Sequence, residues 1–281
     1  MKTPGHPIRK LSTPNNTVRS LYEMISIYSS YPVDFIDDER IISGKLKDIK
    51  ALFIIDGVYM NASILEHLKN YVKNGGKLFL MRPFAQYNEY GRKYNTLPGG
   101  GFDKIIGECK LLQGKSPACD AHGKFLNKVL NNRILQYVSF SPEHANTQVL
   151  AKYIKIDTPA IISAKYGNGK IFCFGFPACA ETDYQGMLAK FVCEIMDKEN
   201  IHSPVAIKNL SCSRKVAAAF PMKDSNGEDW LLLNNPQENP QYIELTWNTK
   251  DNGKRIINVL NGKTWALNKN EGKLILKIKL K

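Results

Sequence analysis

The chain has 281 residues, of which 43% are hydrophobic and 10% aromatic, and its formal net charge is +13. This composition excludes a disordered chain and suits two globular domains of ordinary size. No apolar run approaches the roughly 20 residues of a membrane span, and the N-terminus lacks the apolar segment of a signal peptide. We therefore expect no membrane partner and favour a cytoplasmic location.

The positive charge is spread along the sequence, and Lys and Arg never form a run longer than two residues. Nucleic-acid grooves concentrate basic side chains and place aromatic ones among them. The charge pattern therefore predicts a solvated surface and no nucleic-acid partner. The six cysteines include no C-x-x-C pair. This spacing predicts reduced thiols rather than a disulfide framework.

The N-terminal part predicts one helix and two strands. Residues 1–16 are rich in proline and predict an irregular segment, whereas apolar side chains recur at helical spacing over residues 15–30. Residues 33–37 predict a short strand. The continuous apolar run at residues 51–55 is typical of a parallel strand that is buried on both faces.

A second helix follows, and its ends are marked in the sequence. Ser63 and Glu66 have the spacing of a capping box, and the Asn-Gly-Gly run at residues 74–76 ends the helix. Residues 77–81 then predict another buried strand. A strand, a helix and a strand with short connections predict a parallel pair with a right-handed crossover.

Residues 84–101 predict a long loop, and a loop of this length in a compact domain is usually functional, mobile or an interface. Residues 102–108 predict a short helix, and residues 113–146 show no clear pattern. Further elements are predicted as strands at residues 149–154, 159–163 and 170–174 and as a helix at 184–198. A Tyr-Gly-Asn-Gly turn joins the last two strands into a hairpin.

The pattern changes near residue 202, where short strands follow one another without helices. They are predicted at residues 216–220, 230–233, 242–247, 255–260, 264–267 and 273–280. Several such strands in succession are typical of a small sandwich. We therefore expect an α/β domain over residues 17–201 and a β-sandwich over residues 202–281.

The order of these segments resembles one family. Residues 33–36, 68–80 (LKNYVKNGGKLFL) and 158–172 (TPAIISAKYGNGKIF) are similar to the trimerisation domain of family 42 β-galactosidases. The runs WLLLNNP at 230–236 and VLNG at 259–262 resemble their C-terminal sandwich. The resemblance covers residues 17–281. It implies an α/β fold with a flavodoxin- or amidotransferase-like parallel-sheet domain, followed by a small all-β sandwich.

The resemblance also implies what the chain lacks. In that family the two catalytic glutamates lie in an N-terminal barrel, and no barrel fits ahead of residue 17. We therefore expect a non-catalytic unit of a protein of carbohydrate metabolism, without cofactor or metal. Its expected partner is a second copy of itself or a catalytic barrel. Either residues 8–12 supply the opening strand of the family's domain, or the chain is a fragment of something longer.

The long loop carries the candidate interface residues, because aromatic side chains and Arg are enriched in interface cores. These candidates are Arg82, Phe84, Tyr87, Tyr90 and Tyr94. The alternative is a loop folded over its own domain. A second function class is a carbohydrate-binding module, in which Trp230, Trp247 and Trp265 would stack on sugar rings. The alternative for these three residues is packing in the sandwich core.

A third function class is a cysteine hydrolase, since the amidotransferase-like fold supports such chemistry. A nucleophilic Cys needs a tight turn with small neighbours and a nearby base. Cys179 is the cysteine that follows a strand end, but it lacks the Gly-x-Cys-x-Gly flanks, and no His follows it nearby except His202. Cys119 and His122 offer two metal ligands, whereas a zinc site needs three or four.

Overall fold

The structure is a computed structural model of the chain. It describes residues 18, 21–22, 25–26, 29–55, 57–81, 83–114, 118–126, 135–141, 146–176, 187–209, 218–223, 225–235, 241–248, 255–257, 264–266, 269–270 and 273–280. The chain divides into two compact units. One is built around Phe35–Phe191, and the other combines Tyr22–Asp34 with Val192–Lys281. The folding domains expected at residues 17–201 and 202–281 stay a prediction.

The described part of the first unit contains nine strands. They are β1 Ala51–Ile55, β2 Lys77–Met81, β3 Cys109–Gly114, β4 Cys119–Ala121, β5 Lys124–Leu126, β6 Leu135–Phe140, β7 Thr147–Tyr153, β8 Pro159–Tyr166 and β9 Gly169–Phe174. Seven of them form one sheet in the order β1-β2-β9-β8-β7-β4-β5, and β3 pairs with β6. Strands β1, β2 and β9 are parallel, and the other pairs are antiparallel. The predicted α/β class is confirmed, and its sheet is mixed rather than parallel throughout.

An aromatic ladder crosses the three parallel strands. Phe53 of β1, Phe79 of β2 and Phe172 of β9 are register partners. Their rings stack with centroid distances of 4.3 Å and 4.8 Å. Side-chain pairs on one face of neighbouring strands stabilise a sheet. The three phenylalanines of these apolar runs therefore also help to fix the register in which β1, β2 and β9 pair.

Four α-helices of the described residues have defined bounds: α1 Asp38–Ile42, α2 Ala62–Lys73, α3 Asp103–Ile106 and α4 Met187–Lys198, with a 3-10 turn at Lys45–Asp48. None of these helices has the length and apolar character needed to cross a membrane. Helix α2 buries one apolar face, made of Ile64, Leu65, Leu68, Tyr71 and Val72. These side chains belong to the same core as apolar residues of β2 and β9.

The predicted capping box of α2 is wrong. Asn61, in extended conformation, is the N-cap, and its side-chain oxygen accepts a hydrogen bond from the Ser63 N–H at 2.7 Å. Ser63 thus lies inside the first turn rather than before it. Glu66 accepts a hydrogen bond from the Lys69 ammonium group. The S-x-x-E pattern is present, but an Asn two residues earlier takes the capping position.

The β8–β9 turn lies against the other end of α2. The N–H of Asn168 donates to the carbonyl oxygen of Lys73 at 3.0 Å. A side chain at Gly169 would meet backbone, since its Cβ would clash with the carbonyl oxygen of Val72. The predicted hairpin is confirmed. The N–H of Asn168 in its turn satisfies the carbonyl oxygen of Lys73, which has no hydrogen-bond donor within the helix.

The strand predicted at residues 33–37 is wrong. No strand forms over these described residues, and Phe35 is 62% exposed. Asp37 instead caps α1, because its side chain accepts a hydrogen bond from the N–H of Arg40 at 2.8 Å. The Asp37 side chain that caps α1 therefore marks the end of the extended segment at residues 33–37. Residues 8–12, the candidate for the opening strand, lie outside the described residues, as does most of the helix predicted at 15–30.

The described part of the second unit contains eight strands. They are β10 Val205–Asn209, β11 Ala218–Lys223, β12 Asp229–Asn234, β13 Gln241–Asn248, β14 Arg255–Ile257, β15 Thr264–Ala266, β16 Lys269–Asn270 and β17 Lys273–Leu280. One sheet has the order β10-β13-β17-β16, and two pairs are β11-β12 and β14-β15. Val205 of β10, Leu245 of β13 and Ala219 of β11 share one core cluster. The predicted small sandwich is confirmed, and β10 is a strand that the sequence pattern did not predict.

Candidate association surface

The long loop of the first unit lies at the carboxyl ends of parallel strands. Residues 84–101 follow β2, and residues 57–60 follow β1, its parallel neighbour. Binding sites of α/β sheets usually lie at this edge, because the connections after neighbouring strands meet there. The two connections are therefore the first place to look for a functional surface.

Backbone hydrogen bonds join the two connections. The N–H of Ala85 donates to the carbonyl oxygen of Gly57 at 2.7 Å, and the N–H of Met60 donates to the carbonyl oxygen of Tyr87 at 2.9 Å. Tyr59 and Tyr87 form an isolated parallel bridge. The loop is therefore fixed to the segment after β1 over several residues.

The tip of the loop, residues 88–93, is a turn closed by one side chain. The Asn88 side-chain oxygen accepts from the N–H of Tyr90 at 3.0 Å and from the N–H of Arg92 at 2.9 Å. Gly91 has a φ of 74°, which glycine adopts without steric cost. An Asn that bonds the backbone two residues on is a standard device for a tight turn. The tip is thus ordered although it is exposed.

The second half of the loop is anchored to the core. The N–H of Gly99 donates to the carbonyl oxygen of Ala85 at 2.8 Å. The rings of Phe84 and Phe102 make an edge-to-face contact with a centroid distance of 5.0 Å. The Lys69 ammonium group of α2 donates to the carbonyl oxygen of Gly100 at 3.1 Å. These contacts leave the tip as the part of the loop that projects.

Two of the five interface candidates have structural roles. Phe84 is buried in the core of the first unit. Tyr94 is partly buried, and its hydroxyl donates to the carbonyl oxygen of Met60 at 3.1 Å. Burial, together with the nearby charge of Glu89, raises the pKa of the Tyr94 hydroxyl. Arg82 lies outside the described residues.

Two other candidates are on the surface. Tyr90 is 80% exposed at the tip, and Tyr87 is partly buried. The ring of Tyr87 stacks on Tyr59 with a centroid distance of 5.1 Å, and Tyr59 is 64% exposed. Sequence reasoning missed Tyr59. Its position shortly after the strand predicted at residues 51–55 could have suggested a role at the end of the sheet. Its stacking on Tyr87 could not be predicted, because the two residues are far apart in the chain.

The described cysteines include three poor nucleophiles. Burial raises the pKa of the Cys109 thiol to about 12, and burial also raises the pKa of Cys119 and Cys173. A thiol must ionise to attack, so these three groups stay inert at neutral pH. Cys179 lies outside the described residues. Within the part of the chain that the structure describes, no three His, Cys, Asp or Glu side chains come together as metal ligands.

The tryptophans have different surroundings. Trp230 of β12 is 41% exposed and pairs across the strands with the exposed Met222. Trp247 of β13 is partly buried and packs against the core cluster of the second unit. Trp265 lies in β15. Trp247 therefore packs on the core, as the alternative for the tryptophans expected, whereas Trp230 is partly exposed to solvent.

Comparison with known proteins gives a family match over part of the chain and a shared fold over nearly all of it. The family described as GLMA-like, second domain, matches residues 15–99. Gan42B, a GH42 β-galactosidase from G. stearothermophilus, superposes with a TM-score of 0.62 at 15% identity, over 99% of this chain and 38% of its own. The chain has the fold of part of a family 42 β-galactosidase. The resemblance seen in the sequence is thereby confirmed at the level of the fold.

Two further family 42 enzymes give the same result. The β-galactosidase from Bacillus circulans sp. alkalophilus is 14% identical, with a TM-score of 0.60 over 98% of this chain and 38% of its own. The β-galactosidase from Rahnella sp. R3 is 14% identical, with a TM-score of 0.56 over 95% of this chain and 37% of its own. No curated protein matches the chain in sequence. The chain thus spans less than two fifths of the length of these enzymes, and it shares the fold of that part.

Proposed function

We propose that the chain is a non-catalytic assembly unit of a glycoside-hydrolase-like protein and that it associates with copies of itself through the first unit. The observation that carries this proposal is the hydrogen-bonded loop at residues 84–101, with the exposed Tyr90 in it and the exposed Tyr59 beside it. The fold shared with part of the family 42 β-galactosidases supports the same function. The family match at residues 15–99 covers most of this loop.

Aromatic side chains with few rotamers give this surface the character of an interface. Tyr59, Tyr87 and Tyr90 present ring surface at the edge of the sheet. Tyrosine is enriched among residues that dominate binding energy, because it offers a large amphipathic surface with little rotamer entropy. A loop that is already hydrogen-bonded also loses less freedom on binding. The loop therefore has both properties that an interface needs.

Association is tested by sedimentation velocity over a concentration series up to about 100 μM. We expect the mass to rise from one chain to an oligomer, and the double variant Tyr59→Ala with Tyr90→Ala to weaken this association. Tyr242→Ala is the matched control, because Tyr242 is also an exposed tyrosine but lies in the second unit. A wild-type chain that stays monomeric at the highest concentration contradicts the proposal.

The non-catalytic part of the proposal has its own test. Pure protein is incubated with a chromogenic β-galactoside, and we expect no turnover above the buffer rate. Retaining glycosidases need two carboxyl groups about 5 Å apart on either side of the bond that is cleaved. Turnover that a point substitution within this chain abolishes would refute this part.

A carbohydrate-binding function is the second candidate, and the half-exposed Trp230 favours it. Its ring belongs to the β11–β12 pair, which also carries the exposed Leu232 and the opposing Met222. Titration with a soluble galacto-oligosaccharide, followed by tryptophan fluorescence, tests this function. It predicts a saturable change that Trp230→Ala abolishes and Tyr242→Ala retains. An unchanged spectrum up to millimolar sugar argues against it.

The cysteine hydrolase is the third candidate, and it depends on Cys179. Alkylation with iodoacetamide at neutral pH, read by peptide mass spectrometry, measures the reactivity of each thiol. We expect Cys179 to react no faster than a free cysteine with the ordinary pKa of about 8.5. Rapid modification of Cys179 would restore the hydrolase as a candidate.

A further inference from the structure

Asparagine is followed by glycine at five places in the chain, at residues 74–75, 168–169, 226–227, 252–253 and 261–262. Such a pair is prone to deamidation, because glycine has no Cβ to keep its backbone nitrogen away from the side-chain amide before it. The reaction also needs the backbone to rotate until that nitrogen reaches Cγ of the asparagine, so a rigid fold suppresses it. The structure describes the first three pairs and gives them different surroundings.

Two of the described pairs are held at the end of α2. Asn74 is the C-cap of this helix, and the N–H of Gly75 donates to the carbonyl oxygen of Val72 at 2.9 Å. Gly169, in the β8–β9 turn, is buried, and a Cβ on it would overlap the same carbonyl oxygen. Neither glycine nitrogen can approach the amide before it unless the packing at the end of α2 opens.

The pair at residues 226–227 lies in the connection between β11 and β12. Residues 225–228 of this connection are all exposed. Gly227 has a φ of 81°, and no atom lies within 4 Å of the position of a Cβ on it. The nitrogen of Gly227 therefore has room to approach the side chain of Asn226.

We propose that Asn226 is a site of spontaneous deamidation in the folded protein. The backbone nitrogen of Gly227 attacks Cγ of Asn226 and forms a C–N bond with it. The bond from Cγ to the amide nitrogen breaks, and ammonia leaves with the proton that the Gly227 nitrogen gives up. Water then adds to one of the two carbonyl carbons of the resulting succinimide ring. The ring opens to aspartate or isoaspartate at residue 226.

This modification acts on the pairing of β11 with β12. It adds a negative charge next to a connection that already ends in Glu228 and Asp229, and isoaspartate also adds an atom to the backbone. The length of a connection fixes the register of a hairpin, and here Lys223 lies opposite Asp229. A longer connection therefore strains a hairpin whose first strand contributes Ala219 to the core of the second unit.

Peptide mapping by mass spectrometry tests this site. The pure chain is kept in mildly alkaline buffer, once folded and once in guanidinium chloride, and the conversion of each asparagine is followed with time. We expect Asn226 to convert in the folded chain at a rate close to its rate in guanidinium chloride. Asn74 and Asn168 should convert about tenfold more slowly, or slower still, in the folded chain, because their surroundings must open first. Circular dichroism establishes that the chain without denaturant is folded.

Two variants test the route. Asn226→Gln keeps an amide but needs a larger ring, so residue 226 should stay unmodified. Gly227→Ala places a Cβ beside the attacking nitrogen and should slow the conversion of Asn226 in guanidinium chloride, where folding plays no part. An unchanged rate in this variant overturns the succinimide route. Conversion of Asn226 in the folded chain at the same rate as Asn74 and Asn168, whether fast or slow, overturns the inference, because the fold would then not select the site.

Discussion

The hydroxyl of Tyr94 donates a hydrogen bond to the carbonyl oxygen of Met60, and this contact joins the loop after β2 to the segment after β1. We expect Tyr94→Phe to lower the free energy of unfolding by about 1 kcal/mol, because a partly buried carbonyl loses its donor. Urea denaturation measures this change. Tyr90→Phe is the matched control, and its effect should be near zero because Tyr90 is exposed. Equal effects of the two substitutions would contradict the described role of Tyr94.

The N-cap of α2 can be tested by two single substitutions. Asn61→Ala removes the acceptor for the Ser63 N–H and should lower the free energy of unfolding by about 1 kcal/mol. Ser63→Ala leaves this acceptor in place, so we expect a smaller effect. Urea denaturation of both variants gives the comparison. A larger loss for Ser63→Ala would restore the capping box that the sequence pattern predicted.

Close backbone contacts make Gly169 intolerant of a side chain. Gly169→Ala would place a Cβ in overlap with the carbonyl oxygens of Val72 and Gly76. Backbone atoms of a helix end and of the residue just before β2 cannot easily move, so we expect a loss of about 3 kcal/mol or more, or a failure to fold. Gly91→Ala is the control, because no atom lies within 4 Å of its Cβ position. Its cost should come only from the positive φ, about 1 kcal/mol. Similar melting temperatures for the two variants would argue against the close approach at Gly169.

Buried thiols make the fold sensitive to alkaline pH. Burial raises the pKa of Cys109 from 9.0 to about 12, so the folded chain keeps a proton that the unfolded chain releases. The unfolded state therefore binds fewer protons above pH 9, and stability falls as pH rises from about 9 towards 12. For this thiol alone the loss is about 1.4 kcal/mol per pH unit within that range. Urea denaturation at about pH 8 and about pH 10 measures it.

The variant Cys109→Ala isolates this contribution. It removes the titrating thiol, so its stability should fall less steeply with pH than that of the wild type. The buried thiol of Cys173 also has a raised pKa and stays in the variant. Part of the alkaline loss should therefore persist. Identical pH dependence of the variant and the wild type would show that the Cys109 thiol does not titrate differently in the two states.

The sequence predicts the parallel centre of the fold well, because the signals there are local. The apolar runs of β1 and β2, the amphipathic helix α2 and the glycine turn before β9 each depend on neighbouring residues. The strand predicted at residues 33–37 does not form, because a second local signal, the start of a helix, lies in the same residues. Asp37 is the N-cap of α1, and the apolar residues before it do not show whether a strand or the approach to a helix forms there.

The surface of the loop is less predictable. Composition identified Phe84, Tyr90 and Tyr94 as one aromatic group, yet the structure buries Phe84 and exposes Tyr90. The difference depends on hydrogen bonds between the connections after β1 and β2. Such contacts join residues that are far apart in the chain. The stacking of Tyr87 on Tyr59 has the same origin and was therefore missed.

The pairing of β2 with β9 affects how the protein is made. β2 is flanked by β1, which precedes it closely, and by β9 at Gly169–Phe174, far along the chain. During synthesis, one edge of β2 therefore stays open until the ribosome has released residue 174. An open apolar edge is a template for pairing with another chain. We consequently expect fragments that end between β2 and β9 to aggregate, and we expect the nascent chain to need protection of this edge until β9 has been made.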